Sequence, residues 1–168
     1  MTVRNSGFLQ LYSVATPNGQ KVAACLEELI LLKIVEGEES AYEPHSVDIR
    51  YAENRTPEFR DLNPNEKIPV LVDPCGDEGK PLRVFESGAI LLYLADKYIE
   101  LIPIDFVGRA ETLKWLFWGS ATFSVQAKLF GFYFKYCPHK LPYCVSRYEQ
   151  EVKRMLQVLN KQLSHAKA

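Results

Sequence analysis

Between residues 82 and 98 the spacing of apolar positions changes from that of a strand to that of a helix within a single residue pair. Leu82, Val84 and Phe85 read as a short strand, whereas Ile90, Leu91, Leu94 and Tyr98 recur at three- and four-residue spacing on one helical face. Glu86-Ser87 is the hinge, and Ser87 is expected to cap the helix. The first turn of a helix leaves backbone N–H groups unpaired and carries a partial positive charge. Two readings follow, a plain N-cap or a seat for a carboxylate at Glu86-Ser87-Gly88.

Upstream, residues 8–13 predict a buried strand, and Val22, Cys25, Leu26, Leu29 and Ile30 mark the inner face of a helix reaching about Lys33. Residues 46–49 predict a second strand. Thr56-Pro57 opens a short helix with the expected cap and first-turn proline, and Asn63-Pro64 ends it. Residues 68–73 predict a third strand, with a turn over 74–80 before the strand at 82–85. The order β-α-β-α-β-β-α implies a small mixed sheet covered by helices.

Beyond residues 101–107 no strand alternation returns. Residues 112–134 predict a long aromatic-rich helix with weak points at Gly119 and Gly131. After a break over 136–142 a final helix carries Tyr148, Val152, Met155, Leu156, Leu159 and Leu163 on one face. The expected division is an α/β domain over 8–99, a linker over 100–107 and a partial all-α domain over 108–168. A helical hairpin alone leaves much of its apolar stripe in water, so this chain is expected to need a partner rather than to persist as a free monomer.

Composition narrows the function classes. Of 168 residues, 47% are hydrophobic, enough for a real core, and the formal charge of -1 argues against a bulk electrostatic role on nucleic acid or a membrane surface. The opening MTVRNSG lacks the apolar core of a secretory signal, and no apolar run is long enough to span a bilayer, so a cytoplasmic location is expected. Cys25, Cys75, Cys137 and Cys144 form no Cys-x-x-Cys pair and no zinc-type spacing, so neither a dithiol centre nor a metal site is expected.

Three stretches carry a specific resemblance, LYSVATPNGQKVAACLEEL, PEFRDLNPNEKIPVLVD and FESGAILLYLADKY. With the element order they resemble the thioredoxin-like domain of cytosolic glutathione transferases, most closely the nu class and fungal relatives with disulfide reductase activity. The likeness continues through TLKWLFW and SRYEQEVKRMLQVLNKQL, covering residues 9–163. It implies a thioredoxin-like domain followed by an all-α domain that is C-terminally truncated here, either as a fragment or as a short form. A homodimer is also implied.

The resemblance further implies glutathione as co-substrate and assigns residues to it. Pro69 is expected in the cis form, letting the backbone of Ile68 pair with the cysteinyl portion of glutathione as an added strand would. Lys67 meets the glycyl carboxylate. Glu86 takes the γ-glutamyl ammonium, and Ser87 with the helix N-terminus takes the α-carboxylate. The thiol falls at residues 16–19, where glutaredoxin-like relatives carry Cys-Pro-x-Cys and this chain carries Thr16-Pro17-Asn18-Gly19. Sulfur chemistry must then use the thiol of glutathione, with Thr16 and Asn18 as donors to the thiolate. Tyr12, the residue type that activates glutathione in other classes, reads as core from strand alternation. Arg147 is implied to approach glutathione from the opposite subunit or else to be a solvated helix residue.

Residues 130–139, FGFYFKYCPHK when extended to Lys140, depart from the nu-class pattern and leave the second substrate open. Two functions follow from different classes. One is a glutathione-dependent disulfide reductase or transferase; the other is a non-catalytic interaction module of a larger assembly.

Overall fold

The structure is a computed structural model that describes residues 8–32, 42–76 and 79–165. The expected helix end at Lys33, the middle of the turn over 74–80 and the opening MTVRNSG lie outside the described residues. The chain divides into two compact units, residues 1–108 and 109–168.

The first unit runs β1 (Leu9–Ser13), α1 (Pro17–Leu31), β2 (Tyr42–Ser46), α2 (Pro57–Leu62), β3 (Val70–Asp73), β4 (Leu82–Phe85) and α3 (Ser87–Tyr98). These strands form one sheet in the order β2-β1-β3-β4, with β1 parallel to β2 and β3 antiparallel to both β1 and β4. It is the expected thioredoxin-like order. Strand alternation sends the two faces into separate cores. Leu9, Leu11 and Leu71 pack with Val22, Leu26 and Leu29 of α1 and Ile90 and Leu94 of α3. Tyr12, Val70 and Val72 pack on the other face with Val47 and with Phe59 and Leu62 of α2.

Several elements differ from the sequence expectation: the third strand starts at Val70 rather than residue 68, and the helix expected from residue 112 already starts at Phe106, inside the stretch read as a linker. The second strand is Tyr42–Ser46, not residues 46–49; beyond Ser46 only the Val47 N–H continues to the Ser13 carbonyl, at 3.0 Å, before a short 3-10 turn over Ile49–Tyr51. Pro44 hides the strand in the sequence, but β2 lies at the sheet edge, where a missing N–H is tolerated. Nor is Ser87 the cap of α3. It is the first helical residue, 6% exposed, and Glu86 occupies the N-cap position without a side-chain cap hydrogen bond.

In the second unit, α4 (Phe106–Phe117), which begins just before the unit boundary, leads through a π-helical segment, Trp118–Phe123, into α5 (Ser124–Gly131). A second π segment, Phe132–Tyr136, follows, and after a break α6 (Pro142–His165) closes the chain. The weak points read at Gly119 and Gly131 thus coincide with widened turns rather than breaks. The Gly119 carbonyl accepts the Ser124 backbone N–H across the first widening and also the Ser124 hydroxyl, at 2.7 Å. Trp118 stacks on Phe123 with centroids 5.6 Å apart, and Tyr133 stacks on Tyr148 of α6 at 5.5 Å and 3°. On the expected apolar face of α6, Met155 is buried, while Leu156 and Leu163 are exposed.

Candidate functional site

The sheet register gathers the predicted residues. Tyr12 pairs with Val70, and Val70 pairs with Phe85, so one row crosses β1, β3 and β4. Because β3 is antiparallel to both neighbours, the end of β1, the start of β3 and the end of β4 share one edge of the sheet. Thr16 and Asn18 follow β1, Lys67, Ile68 and Pro69 precede β3, and Glu86 and Ser87 follow β4. Seven of the eight predicted residues therefore converge at this edge, beside the N-termini of both α1 and α3. Arg147 belongs to the second unit, exposed on the early turns of α6.

Local chemistry shapes each corner. Thr16 is the N-cap of α1, its hydroxyl oxygen accepting the Gly19 N–H at 3.3 Å. Pro17 has no N–H to leave unpaired, and Asn18 stands exposed in the first turn. Gly19 is obligatory for the approach of α1 to β1, since a Cβ there would stand 2.1 Å from Ser13 Oγ and 2.5 Å from the Val14 carbonyl oxygen. The Ile68-Pro69 peptide is cis. Lys67 is exposed, Ile68 is half-buried and Pro69 is buried.

At the third corner Glu86 has φ 70° and ψ 115°, a backbone conformation that a residue with a Cβ rarely adopts. Its carbonyl still accepts the Ile90 N–H at 2.9 Å, while its carboxylate is left out of helix capping. The first turn of α3 thus offers N–H groups without a side-chain cap, and an exposed carboxylate stands next to them. Lys21 of α1 lies within the field of that carboxylate; burial pushes the Lys21 ammonium below its usual range, and Glu86 partly opposes the shift. The sequence reading passed over Lys21 because α1 periodicity marks it as neither core nor cap.

Tyr12 is 1% exposed, its hydroxyl donating to Gln10 Oε1 at 2.9 Å and its ring stacked on His45 at 4.4 Å. It is a core residue, as alternation predicts. A separate open cleft of about 520 Å3 lies between α1 and β2, lined by Leu11, Ser13, Gly19, Ala23, Tyr42 and Pro44 among others. Among the described residues, none of the predicted site residues lines it, and its largely apolar lining includes no Asp, Glu, Lys or Arg. Among the described residues, no cluster of His, Cys, Asp and Glu is placed to hold a metal ion, and no helix is long and apolar enough to cross a membrane.

Residues 11–96, just over half of the chain, match the family described as Glutathione S-transferase, N-terminal domain. An uncharacterized GST-like protein of Streptococcus mutans is 45% identical over 94% of this chain and 58% of its own length. The disulfide-bond oxidoreductase YghU of Escherichia coli is 43% identical over 95% of this chain and 54% of its own. The chain therefore spans little more than half the length of these relatives. A glutathione transferase of Burkholderia graminis, solved with two glutathione molecules bound per subunit, superposes with a TM-score of 0.85 at 43% identity, over 94% of this chain and 63% of that one. With its sheet order and its matched segment in agreement, this chain belongs to the glutathione transferase family.

Proposed function

We propose that the chain binds glutathione at this sheet edge and uses the bound thiolate to reduce small disulfides. The observation that carries the proposal is the convergence of two helix N-termini, an exposed carboxylate and the Lys67-Ile68-Pro69 entry on one row of the sheet. A γ-glutamyl tripeptide matches that set charge for charge. Glu86 takes its ammonium, Ser87 and the first turn of α3 take the α-carboxylate, the Ile68 backbone pairs with the cysteinyl unit, and Lys67 meets the glycyl carboxylate. In a homodimer, Arg147 of a second subunit adds a further cation.

The energetics of thiol activation are accessible to this chain. Bringing a thiol from its ordinary pKa near 8.5 to mostly ionised at neutral pH takes roughly 2 to 3 kcal/mol. The α1 N-terminus contributes about 0.3 to 1 kcal/mol. A hydrogen bond to a charged acceptor contributes about 1.5 to 3 kcal/mol. The Thr16 oxygen is used by the Gly19 N–H, which leaves its hydrogen for the thiolate, and Asn18 supplies a second donor. The thiolate attacks one sulfur of the disulfide, the S–S bond breaks, and its electron pair leaves on the other sulfur, which takes a proton. A second glutathione thiolate then attacks the mixed disulfide, releasing the remaining thiol and oxidised glutathione. The relative with two glutathione molecules per subunit and the relative named as a disulfide-bond oxidoreductase both support this sequence.

Calorimetric titration with glutathione, followed by rates with hydroxyethyl disulfide and with a chloronitrobenzene, tests the proposal. Binding with a disulfide rate above the conjugation rate is expected, because neither a cysteine nor a free tyrosine hydroxyl stands at residues 12–19 for conventional activation. Conjugation far above reduction overturns the reductase reading, and no binding at all leaves the non-catalytic interaction module.

A further inference from the structure

The segment entering β3 is held from behind by two side-chain amides. Asn63 ends α2, is 1% exposed, and donates from Nδ2 to the Lys67 carbonyl at 2.6 Å. Its Oδ1 accepts the Asn65 N–H at 2.8 Å, and its backbone carbonyl accepts the Glu66 N–H at 2.9 Å. One peptide earlier, Asn54 Nδ2 donates to the Glu66 carbonyl at 2.7 Å. Glu66 itself has φ 53° and pairs through its carboxylate with Arg60 Nε at 2.6 Å.

A trans peptide is planar, with its C=O and N–H pointing in opposite directions. The Lys67 carbonyl and the Ile68 N–H belong to one such plane, and the Glu66 carbonyl and the Lys67 N–H to the plane before it. A buried amide that draws the Lys67 carbonyl inward therefore turns the Ile68 N–H outward. We infer that Asn63 is the positioning residue that aims the Ile68 N–H at the cysteinyl unit of glutathione, with Asn54 fixing the preceding plane. The inference rests on the proposed glutathione reading and deepens it. Asn63 touches no ligand; it removes the rotational freedom of the peptide that does. Preorganising that donor strengthens binding by removing an ordering cost at the moment of association.

The test uses the full chain. Asn63→Asp keeps the side-chain shape and removes the donor, setting a carboxylate oxygen against the Lys67 carbonyl. Val72→Ala, in the same core but away from the segment, serves as a control for lost stability. Calorimetry with S-methylglutathione isolates binding from thiol chemistry, and the amide resonance of Ile68 reports its orientation. The expected result is a dissociation constant raised about tenfold or more in Asn63→Asp, with a shifted Ile68 resonance. Val72→Ala should stay within about twofold of wild type despite a lower melting temperature. Wild-type binding matched within twofold by a folded Asn63→Asp overturns the positioning role alone, whereas a wild-type chain that takes up no glutathione analogue overturns this inference together with the reading beneath it. Should Asn63→Asp fail to fold, Asn54→Asp at the less buried position decides by the same criterion.

Discussion

Val70 and Phe85 are direct partners in the antiparallel ladder, so the chain enters β3 from Pro69 beside the point where it leaves β4 into Glu86. Two segments separated by 16 residues in sequence, counted from 69 to 85, thereby present a backbone pairing edge and a helix N-terminus side by side. Glu86 and Ser87 should then govern glutathione affinity without governing the fold. Glu86→Ala or Ser87→Ala is expected to weaken binding by roughly 1.5 to 3 kcal/mol, the value of a charge-assisted contact. Neither side chain caps α3, so thermal melts of the two variants should lie close to wild type. Wild-type affinity in both variants removes these residues from the site.

The backbone of Glu86 supports a sharper prediction. With φ 70°, it occupies a conformation that glycine adopts without a Cβ penalty. Glu86→Gly is expected to stabilise the chain by about 1 kcal/mol in urea unfolding while losing the same glutathione affinity as Glu86→Ala. Gain of stability with loss of binding would locate the strain at the functional corner; a destabilised Glu86→Gly would show that the surrounding turn prefers the side chain.

Thr16 combines a structural and a chemical task in one hydroxyl. Removing it in Thr16→Ala is expected to cost about 1 kcal/mol of stability through the lost cap at the Gly19 N–H. The disulfide reduction rate at saturating glutathione should also fall by about tenfold or more, since a donor to the thiolate is lost. Thr16→Ser retains both functions. A rate unchanged in Thr16→Ala, measured with hydroxyethyl disulfide, would leave Thr16 as a cap only.

Much of this arrangement is legible in the sequence, and what is hidden is hidden for physical reasons. Hydrophobic period places the strand-to-helix hinge at Glu86-Ser87, because α3 buries Ile90 and Leu94 on one face and Val84 of β4 packs against the same core, although Leu82 and Phe85 stay exposed. Period does not resolve a one-residue phase, so Ser87 was expected as the cap and stands instead at the first helical position. The second strand, expected over 46–49, lies instead over Tyr42–Ser46 and carries Pro44, which an edge strand accepts. Residue type alone also gave no sign of the positive φ at Glu86 or the reach of Asn63 back to Lys67, since both depend on chain geometry around a turn. Asn63-Pro64 was recognised only as the end of a helix.

Gly19 packs against the chain leaving β1 at Ser13 and Val14. A methyl group there meets the Val14 carbonyl oxygen at 2.5 Å, a backbone atom that has no rotamer by which to move away. Gly19→Ala is expected to destabilise the first unit by about 1 to 3 kcal/mol and to displace Thr16 from the sheet edge. Chemical denaturation with glutathione titration reads both effects, and a Gly19→Ala chain with wild-type stability and affinity would show that this contact relaxes freely.

Asp73, at the end of β3, is expected to give the acid limb of the stability profile. Its side chain is 1% exposed, yet it accepts hydrogen bonds from Tyr93 Oη at 2.5 Å, from Lys97 Nζ and from the Cys75 N–H at 2.9 Å. Burial alone would push this carboxyl up; the Lys97 ammonium, the Tyr93 hydroxyl and the Cys75 amide outweigh it and hold it below the usual carboxylate range. A carboxyl depressed in the folded state contributes stability in full above its unfolded value, near 3.9, and loses it as pH falls through the lower folded value. Asp73→Asn should therefore cost about 1 to 3 kcal/mol at pH 7. That is less than for a fully buried pair, because Lys97 is 27% exposed and keeps access to water. The gap between wild type and variant should hold from pH 7 to about pH 5 and close below about pH 4, as the wild-type carboxyl takes up its proton. Urea unfolding of both chains at pH 7, 5, 4 and 3 measures the gap directly, and an equal gap at pH 3 and pH 7 would assign the cost of Asp73→Asn to packing rather than to charge.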